Sequence, residues 1–264
     1  MNAMLGAFEV AALAAGKAIL AVRAAGAHIS YKADCSPVTE ADAQAEAIIL
    51  GALSRLYPDI PVVAEEAVAA GSMPETGERA FFLVDPLDGT KEFIAGHDDF
   101  TVNIALIEAG VPTAGFIYAP ALGVAYGGAE GQAYKLVVDD DFTVKARSSI
   151  KAGPQRNPPV ALASRSHRTP ETDAFLSQTG PCDVQSIGSS LKFCLLAEGK
   201  ADIYPRFGRT MQWDTAAGDA ILRAAGGLTT DIDGLPLRYG TTTSTGDDVF
   251  ANPDFIAVGA TPKA

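Results

Sequence analysis

The chain has 264 residues, 48% hydrophobic and 20% charged, which supplies enough apolar material for a buried core and excludes a disordered chain. With 32 Asp and Glu against 20 Lys and Arg, the formal net charge is -12, so nucleic-acid backbones and anionic membranes are not expected partners. Three widely spaced cysteines, Cys35, Cys182 and Cys194, fit neither a disulfide framework nor a zinc site and read as reduced cytoplasmic thiols.

In chain order, residues 5–24 have the composition of an amphipathic helix, with Gly26 as its stop. Residues 1–22 are apolar, but Glu9 and Lys17 interrupt them and no basic stretch precedes them. They are therefore read neither as a signal peptide nor as an integral membrane segment, being too short in uninterrupted apolar residues. Ser36-Pro37-Val38-Thr39 leads into a second helix over 40–56, which Tyr57-Pro58-Asp59 ends. A short apolar run over 61–64 reads as a buried strand and is followed at once by Glu65-Glu66. Residues 68–79 are rich in Gly, Pro and small polar residues and read as a loop; 80–84 read as a second buried strand with Asp85 at its end. Strands follow over 101–108, 112–118 and 123–126, separated by Gly or Pro turns.

Residues 139–159 carry a charge run and then Gly and Pro, and mark the expected boundary between an N-terminal lobe (1–155) and a C-terminal lobe (156–264) of one catalytic unit. Beyond it come a strand over 160–163, helices over 171–179 and 188–199, and a strand over 201–204. A helix over 214–225 ends at Gly226-Gly227, and short strands follow over 228–230 and 255–258. The pattern is mixed α/β in two lobes, with no internal repeat.

The segment Asp85-Pro86-Leu87-Asp88-Gly89-Thr90-Lys91 carries the most chemistry. Two carboxylates three residues apart after a buried strand crowd like charges, which is costly unless a cation lies between them. Oxygen ligands suit a hard ion such as Mg2+, and free N–H groups at Gly89 and Thr90, at the start of a helix, suit phosphate oxygens. The same residues also make an ordinary rigid turn. Glu65-Glu66 places a second acidic pair at a second strand end, which reads equally as a solvated turn until the two strands are neighbours. Asp214, in Trp213-Asp214-Thr215-Ala216-Ala217-Gly218, suits a helix N-cap as well as a metal. Asp42 lies in the first turn of its helix, where an acid is favourable in any case. A covalent-aspartate phosphatase pattern, a P-loop and a nucleophile elbow are all absent, and three histidines make a histidine-rich metal site unattractive.

Taken together and in order, Val38-Thr39-x-x-Asp42, Glu65-Glu66, Asp85-Pro-Leu-Asp88-Gly-Thr90 and Trp213-Asp214-x-Ala-Ala-Gly218 resemble the inositol monophosphatase superfamily. Asp88-Gly-Thr-Lys91-Glu-Phe93, Ser164-Arg-Ser-His167 and Ser186-Ile-Gly-Ser-Ser-Leu-Lys192 are similar to its bisphosphate nucleotidase branch, and the likeness spans roughly the whole chain. The resemblance implies a two-lobed α-β-α-β-α layered sandwich with the site between the lobes. It implies two to three Mg2+ ions: one on Glu65, Asp85 and the Leu87 carbonyl, a second on Asp85, Asp88 and Asp214, and a third on Glu65 and water. Thr90 and Asp42 would activate the attacking water, Glu66 would support the ligands from behind, and the Gly89 and Thr90 N–H groups would hold the phosphate. His167, Ser189, Lys192 and Arg206 would face the nucleotide or its second phosphate, with Lys91 tuning local charge; the cations are chemically apt for a phosphate, yet they read as surface charges too.

The implied activity is lithium-sensitive hydrolysis of 3′-phosphoadenosine 5′-phosphate, a by-product of sulfate assimilation, to AMP and phosphate. The alternatives are an inositol monophosphatase or fructose 1,6-bisphosphatase on the same metals, and a nucleotide-binding regulator without turnover. The resemblance also implies a homodimer as one form of assembly, although no interface is marked in the sequence.

Overall fold

A computed structural model of the chain describes residues 2–32, 35–76, 79–241 and 249–260. The N-terminal helix α1 (Ala3–Ala25) lies beside α2 (Glu40–Leu56), with a hairpin of β1 (Ile29–Tyr31) and β2 (Pro37–Thr39) between them. By length and composition α1 suffices to cross a membrane, contrary to the sequence expectation. Its packing is that of a core helix: Leu5, Phe8, Ala12, Ala15, Ile19 and Val22 recur at helical spacing and are buried in one cluster with α2 residues.

A seven-stranded sheet follows, formed in sequence order by β3 (Val62–Ala64), β4 (Phe81–Asp88), β5 (Thr101–Glu108), β6 (Val111–Ala119), β7 (Val124–Ala129), β8 (Gln132–Val138) and β9 (Val144–Ile150). β3 and β4 are parallel and the rest is an antiparallel meander. Two short helices ride on it, α3 (Glu65–Ala69) directly after β3 and α4 (Thr90–Ile94) directly after β4. Gly77 and Glu78, part of the loop expected over 68–79, lie outside the described residues. The chain then enters a second sheet made of β10 (Val160–Ser164), β11 (Asp183–Ile187), β12 (Ile203–Arg206), β13 (Leu228–Asp231) and β14 (Phe255–Val258), in spatial order β11-β10-β12-β14-β13.

Helices α6 (Leu191–Ala197) and α7 (Gln212–Ala225) fill the space between the sheets, and α5 (Pro170–Gln178) covers the outer face of the second. The result is the expected α-β-α-β-α stack. Strand alternation makes it so: Phe82 and Val84 of β4 join the α1/α2 core, whereas Phe81 and Leu83 join the core shared with α6, α7 and the second sheet. Asp85 has the parity of Phe81 and Leu83, so its carboxylate faces the α7 side. α7 sits hard on β6, because a Cβ on Gly115 would lie 2.3 Å from the Ala217 carbonyl oxygen. Only a glycine admits that approach.

Several boundaries differ from the sequence expectation. β4 does not end at Asp85; Pro86 cannot donate to the ladder, the register slips between Asp85 and Asp88, and pairing resumes at Asp88–Thr101. β9 falls within the charged boundary expected over 139–159. It is a sheet edge, where Lys145 and Arg147 discourage further pairing. The expected helix over 188–199 begins only at Leu191, since Ser189 has a positive φ of 48°. α7 starts two residues before Asp214, which becomes its third residue rather than its cap.

Candidate active site

The ends of β3 and β4 and the start of α7 bring three acidic segments to one cleft of about 260 Å3. Glu65, Asp88 and Asp214 line it, and Asp85, 1% exposed, lies beneath. Burial pushes the Asp85 carboxyl well above its ordinary range, and Glu65, Asp88 and Asp214 add to that. Asp214 is likewise raised by burial and by Asp88 and Glu65, although its carboxylate accepts the Met211 N–H at 2.9 Å. Burial also raises Asp88, against the pull of Ser190 and Lys192. Groups so crowded and desolvated hold protons unless a cation neutralises them.

Glu65 and Glu66 are the first residues of α3, where the helix end favours negative charge. The Lys32 ammonium donates to Glu65 Oε1 and to Glu66 Oε1, each at 2.6 Å. Burial opposes the Lys32 charge, but the two glutamates outweigh it and hold the ammonium above its ordinary pKa. Glu66 rises to about 7, through burial and then through Glu65. The Glu66 N–H donates to Glu46 Oε2 at 2.8 Å, tying α3 to α2.

Asp42, 2% exposed, is the third residue of α2 and closes a capping box with Thr39. The Thr39 N–H and hydroxyl both donate to its Oδ2 at 2.8 Å. Its Oδ1 accepts from the Thr90 hydroxyl at 3.1 Å, a proton that the Leu87 carbonyl, 3.2 Å away, shares. Burial lifts the Asp42 carboxyl despite these donors. Gly89 caps α4, so the Thr90 side chain stands at the cleft floor.

The far end of the cleft is cationic. Lys192 and Arg206, for which the resemblance implies a place facing the nucleotide and a surface position is the alternative, are 4% and 7% exposed. The Lys192 ammonium donates to the Ile187 carbonyl at 3.2 Å and to that of Ser189, and lies over the Tyr204 ring. Burial, with Arg206, lowers it to about 8. The Arg206 guanidinium donates to the His167 and Arg209 carbonyls at 3.1 and 3.0 Å, while its buried Nε has no partner. His167 is lowered to about 4 by burial, Arg206 and Lys91, so its neutral Nε2 accepts from the Lys91 ammonium 3.2 Å away. Ser189 and Gly89 line the same cleft, and Trp213, 5% exposed, packs on Phe250.

Three further residues contribute. Ser190 Oγ is 2.6 Å from both Asp88 Oδ2 and the Asp214 carbonyl, and it accepts from Asn103 Nδ2 at 2.9 Å. Ser190 lies inside the Ser186–Lys192 motif with no local feature to distinguish it, and Asn103 is a lone amide in an apolar strand. Lys32 follows a hairpin strand too short to leave a periodicity.

Among the described residues no three Asp, Glu, His or Cys side chains converge as a ready-formed metal site. The donor chemistry nevertheless fits a hard divalent cation: every group is an oxygen, burial keeps Asp85, Asp88 and Asp214 raised despite the Lys192 and Arg206 charges nearby, and the buried Asn103 Oδ1 beside Asp88 is unpartnered.

The model of the inositol monophosphatase family matches residues 2–255. The 3′(2′),5′-bisphosphate nucleotidase CysQ of Salmonella typhimurium is 47% identical over 243 residues, 91% of this chain and 94% of that protein. The CysQ nucleotidase of Escherichia coli K12 is 46% identical over 85% of this chain and 86% of its own length. The crystal structure of CysQ from Bacteroides thetaiotaomicron, a bacterial member of the inositol monophosphatase family, superposes with a TM-score of 0.79 at 38% identity, covering 97% of this chain and 98% of that one. The chain belongs to the inositol monophosphatase family. Membership makes it a phosphatase with a metal-dependent mechanism, acting on a small phosphorylated substrate.

Proposed function

We propose that the chain is a 3′(2′),5′-bisphosphate nucleotidase that hydrolyses 3′-phosphoadenosine 5′-phosphate to AMP and phosphate. The observation that carries this is the lining of one cleft, which joins the carboxylates Glu65, Asp88 and Asp214 to the buried cations Lys192 and Arg206, with Lys91 and His167 beside them. A substrate with one phosphate to cleave and one to hold matches both groups. The identity to nucleotidases of that name supports the same reading.

Glu65, Asp85, the Leu87 carbonyl, Asp88 and Asp214 would hold two to three Mg2+ ions, with Glu66 behind them. Bound Mg2+ would neutralise phosphate charge and lower the pKa of a coordinated water. The Thr90 hydroxyl, whose proton is shared between Asp42 and the Leu87 carbonyl, keeps a lone pair for the attacking water. The raised Asp42 carboxyl is suited to take up the proton that Thr90 relays. The water oxygen would bond to phosphorus as the bond to the ribose 3′-oxygen breaks in line, the departing oxygen taking a proton from solvent, with no covalent enzyme intermediate. Gly89 and Thr90 N–H groups would orient the phosphate, and Ser189, Lys192, Arg206, His167 and Lys91 would orient the rest. Residues 1–155 and 156–264 would act as one unit, with the free thiols of Cys35, Cys182 and Cys194 suiting the cytoplasm.

Phosphate release with Mg2+ from 3′-phosphoadenosine 5′-phosphate, inositol monophosphate and fructose 1,6-bisphosphate tests the reading. The bisphosphate nucleotide is expected to be preferred, and a preference for either of the others would overturn the substrate. Full activity of Asp88→Asn would overturn the metal assignment.

A further inference from the structure

Lys192 and Arg206 are carried by the second sheet and its connections, whereas Glu65 and Asp88 are carried by the first, and Ser190 is one tie between the two sides. Asp99 lies between α4 and β5, on the side of the molecule that carries Thr90 and Lys91. Its carboxylate reaches across: Oδ2 accepts the Gly188 N–H at 2.6 Å, and Oδ1 accepts Arg165 Nη1 at 2.5 Å. These two partners start the segments that carry His167 and Lys192. Gly188 precedes Ser189 and Ser190, whose turn delivers Lys192, and Arg165 lies two residues before His167.

The fit at Gly188 is close. A Cβ there would lie 2.6 Å from the Asp99 carbonyl oxygen and 2.7 Å from Asp99 Oδ2, so the two backbones touch directly. Beyond the contact, Ser189 has a φ of 48°, in the left-handed region that a serine seldom occupies. The Arg165 guanidinium also reaches the Ser186 carbonyl at 3.4 Å, so one carboxylate and one guanidinium brace both segments. The Gly188 and Arg165 donors hold the Asp99 carboxyl below its ordinary range despite burial, as expected of a charge that stays ionised.

We infer that Asp99, with Arg165 and Gly188, is a positioning clamp that sets the span between the phosphate being cleaved and the cations that hold the far end of the substrate. It touches no substrate itself. This inference rests on the proposed bisphosphate substrate. Its consequence is selective, because a substrate that spans the cleft needs the clamp and one that occupies only the carboxylate end does not.

The test compares 3′-phosphoadenosine 5′-phosphate with p-nitrophenyl phosphate, which is too short to reach Lys192 and Arg206, in the Mg2+-loaded full chain. Asp99→Ala is expected to raise KM for the bisphosphate about 10-fold or more, with kcat within about 3-fold, while kcat/KM for p-nitrophenyl phosphate stays within about 2-fold. Arg165→Met is expected to shift the same KM in the same direction, and the double variant to fall short of the product of the two effects. Thermal melting of each variant establishes that it is folded. If Asp99→Ala does not fold, Arg165→Met alone decides the matter. An equal loss on both substrates, or an unchanged KM for the bisphosphate, overturns the clamp. A wild-type enzyme with no preference for the bisphosphate overturns the proposed function first, and the clamp with it.

Discussion

The Thr90 hydroxyl lies 3.1 Å from Asp42 Oδ1, joining a five-residue helix on the first sheet to the capping box of α2. Asp42 is thereby fixed at both oxygens, since Thr39 holds Oδ2 with two donors. Each member then has one geometry for handling a proton. We predict that Asp42→Asn and Thr90→Ala each lower kcat about 100-fold or more, and that the double variant loses little beyond either single one. Thr90→Ser, which keeps the hydroxyl, should retain most of the rate. Independent, multiplicative losses would show that the pair does not act as a unit.

Lys32 supplies the positive charge that Glu65 and Glu66 face. Replacing it by methionine leaves two neighbouring carboxylates without that partner, in a partly buried place. Lys32→Met is predicted to lose about 1–2 kcal/mol of stability in EDTA, as the remaining carboxylates repel. Added Mg2+ would restore that charge, so the difference in melting temperature between Mg2+ and EDTA should be wider than in the wild type. Paired melting curves decide it; an unchanged difference would mean that Lys32 and the metal do not serve the same carboxylates.

The acidic residues were legible because each is tied to a local signal. Asp85 and Asp88 flank a proline in a strand, Asp42 and Asp214 open helices, and Glu65 follows an apolar run. Local rules fixed their places to within a few residues, but separately left turn, cap and ligand equally open. What joined them was their order along the chain, matched to a family. Lys32, Asn103, Ser190 and Asp99 left no such trace, because their work is done with partners 15 to 102 residues away. The edge strand β9 escaped for a different reason: a polar, exposed strand has no apolar face to reveal its period.

Away from the cleft, Glu198 gathers Tyr126, Lys135 and Lys200 where α6 ends over the first sheet. Those donors hold its carboxyl below the ordinary range although burial pulls it upward. A depressed carboxylate adds stability that is present above its unfolded pKa of about 4.3 and is lost as pH falls through the folded value. Glu198→Gln should therefore cost about 1–2 kcal/mol at pH 7, a modest figure because water screens part of the network. The gap between variant and wild type in chemical denaturation should close as the pH drops below about 4. A gap independent of pH would assign the loss to packing instead.

Lys192 offers a pH signature for the far end of the cleft. Burial, with Arg206 nearby, lowers its ammonium to about 8, and Asp88 only partly opposes this. A lysine with a depressed pKa is charged below that value and loses its charge as pH rises through it, well before an exposed lysine would. The attraction for a second phosphate should fade in the same window. We predict that kcat/KM for the bisphosphate nucleotide falls above about pH 8 chiefly through a rising KM, while p-nitrophenyl phosphate shows no KM limb there. His167, lowered to about 4, is neutral across this range and adds no limb of its own. Lys192→Arg, charged at every accessible pH, should flatten the alkaline limb even if its geometry costs absolute affinity. A limb that persists unchanged in Lys192→Arg would place the titrating group elsewhere in the cleft.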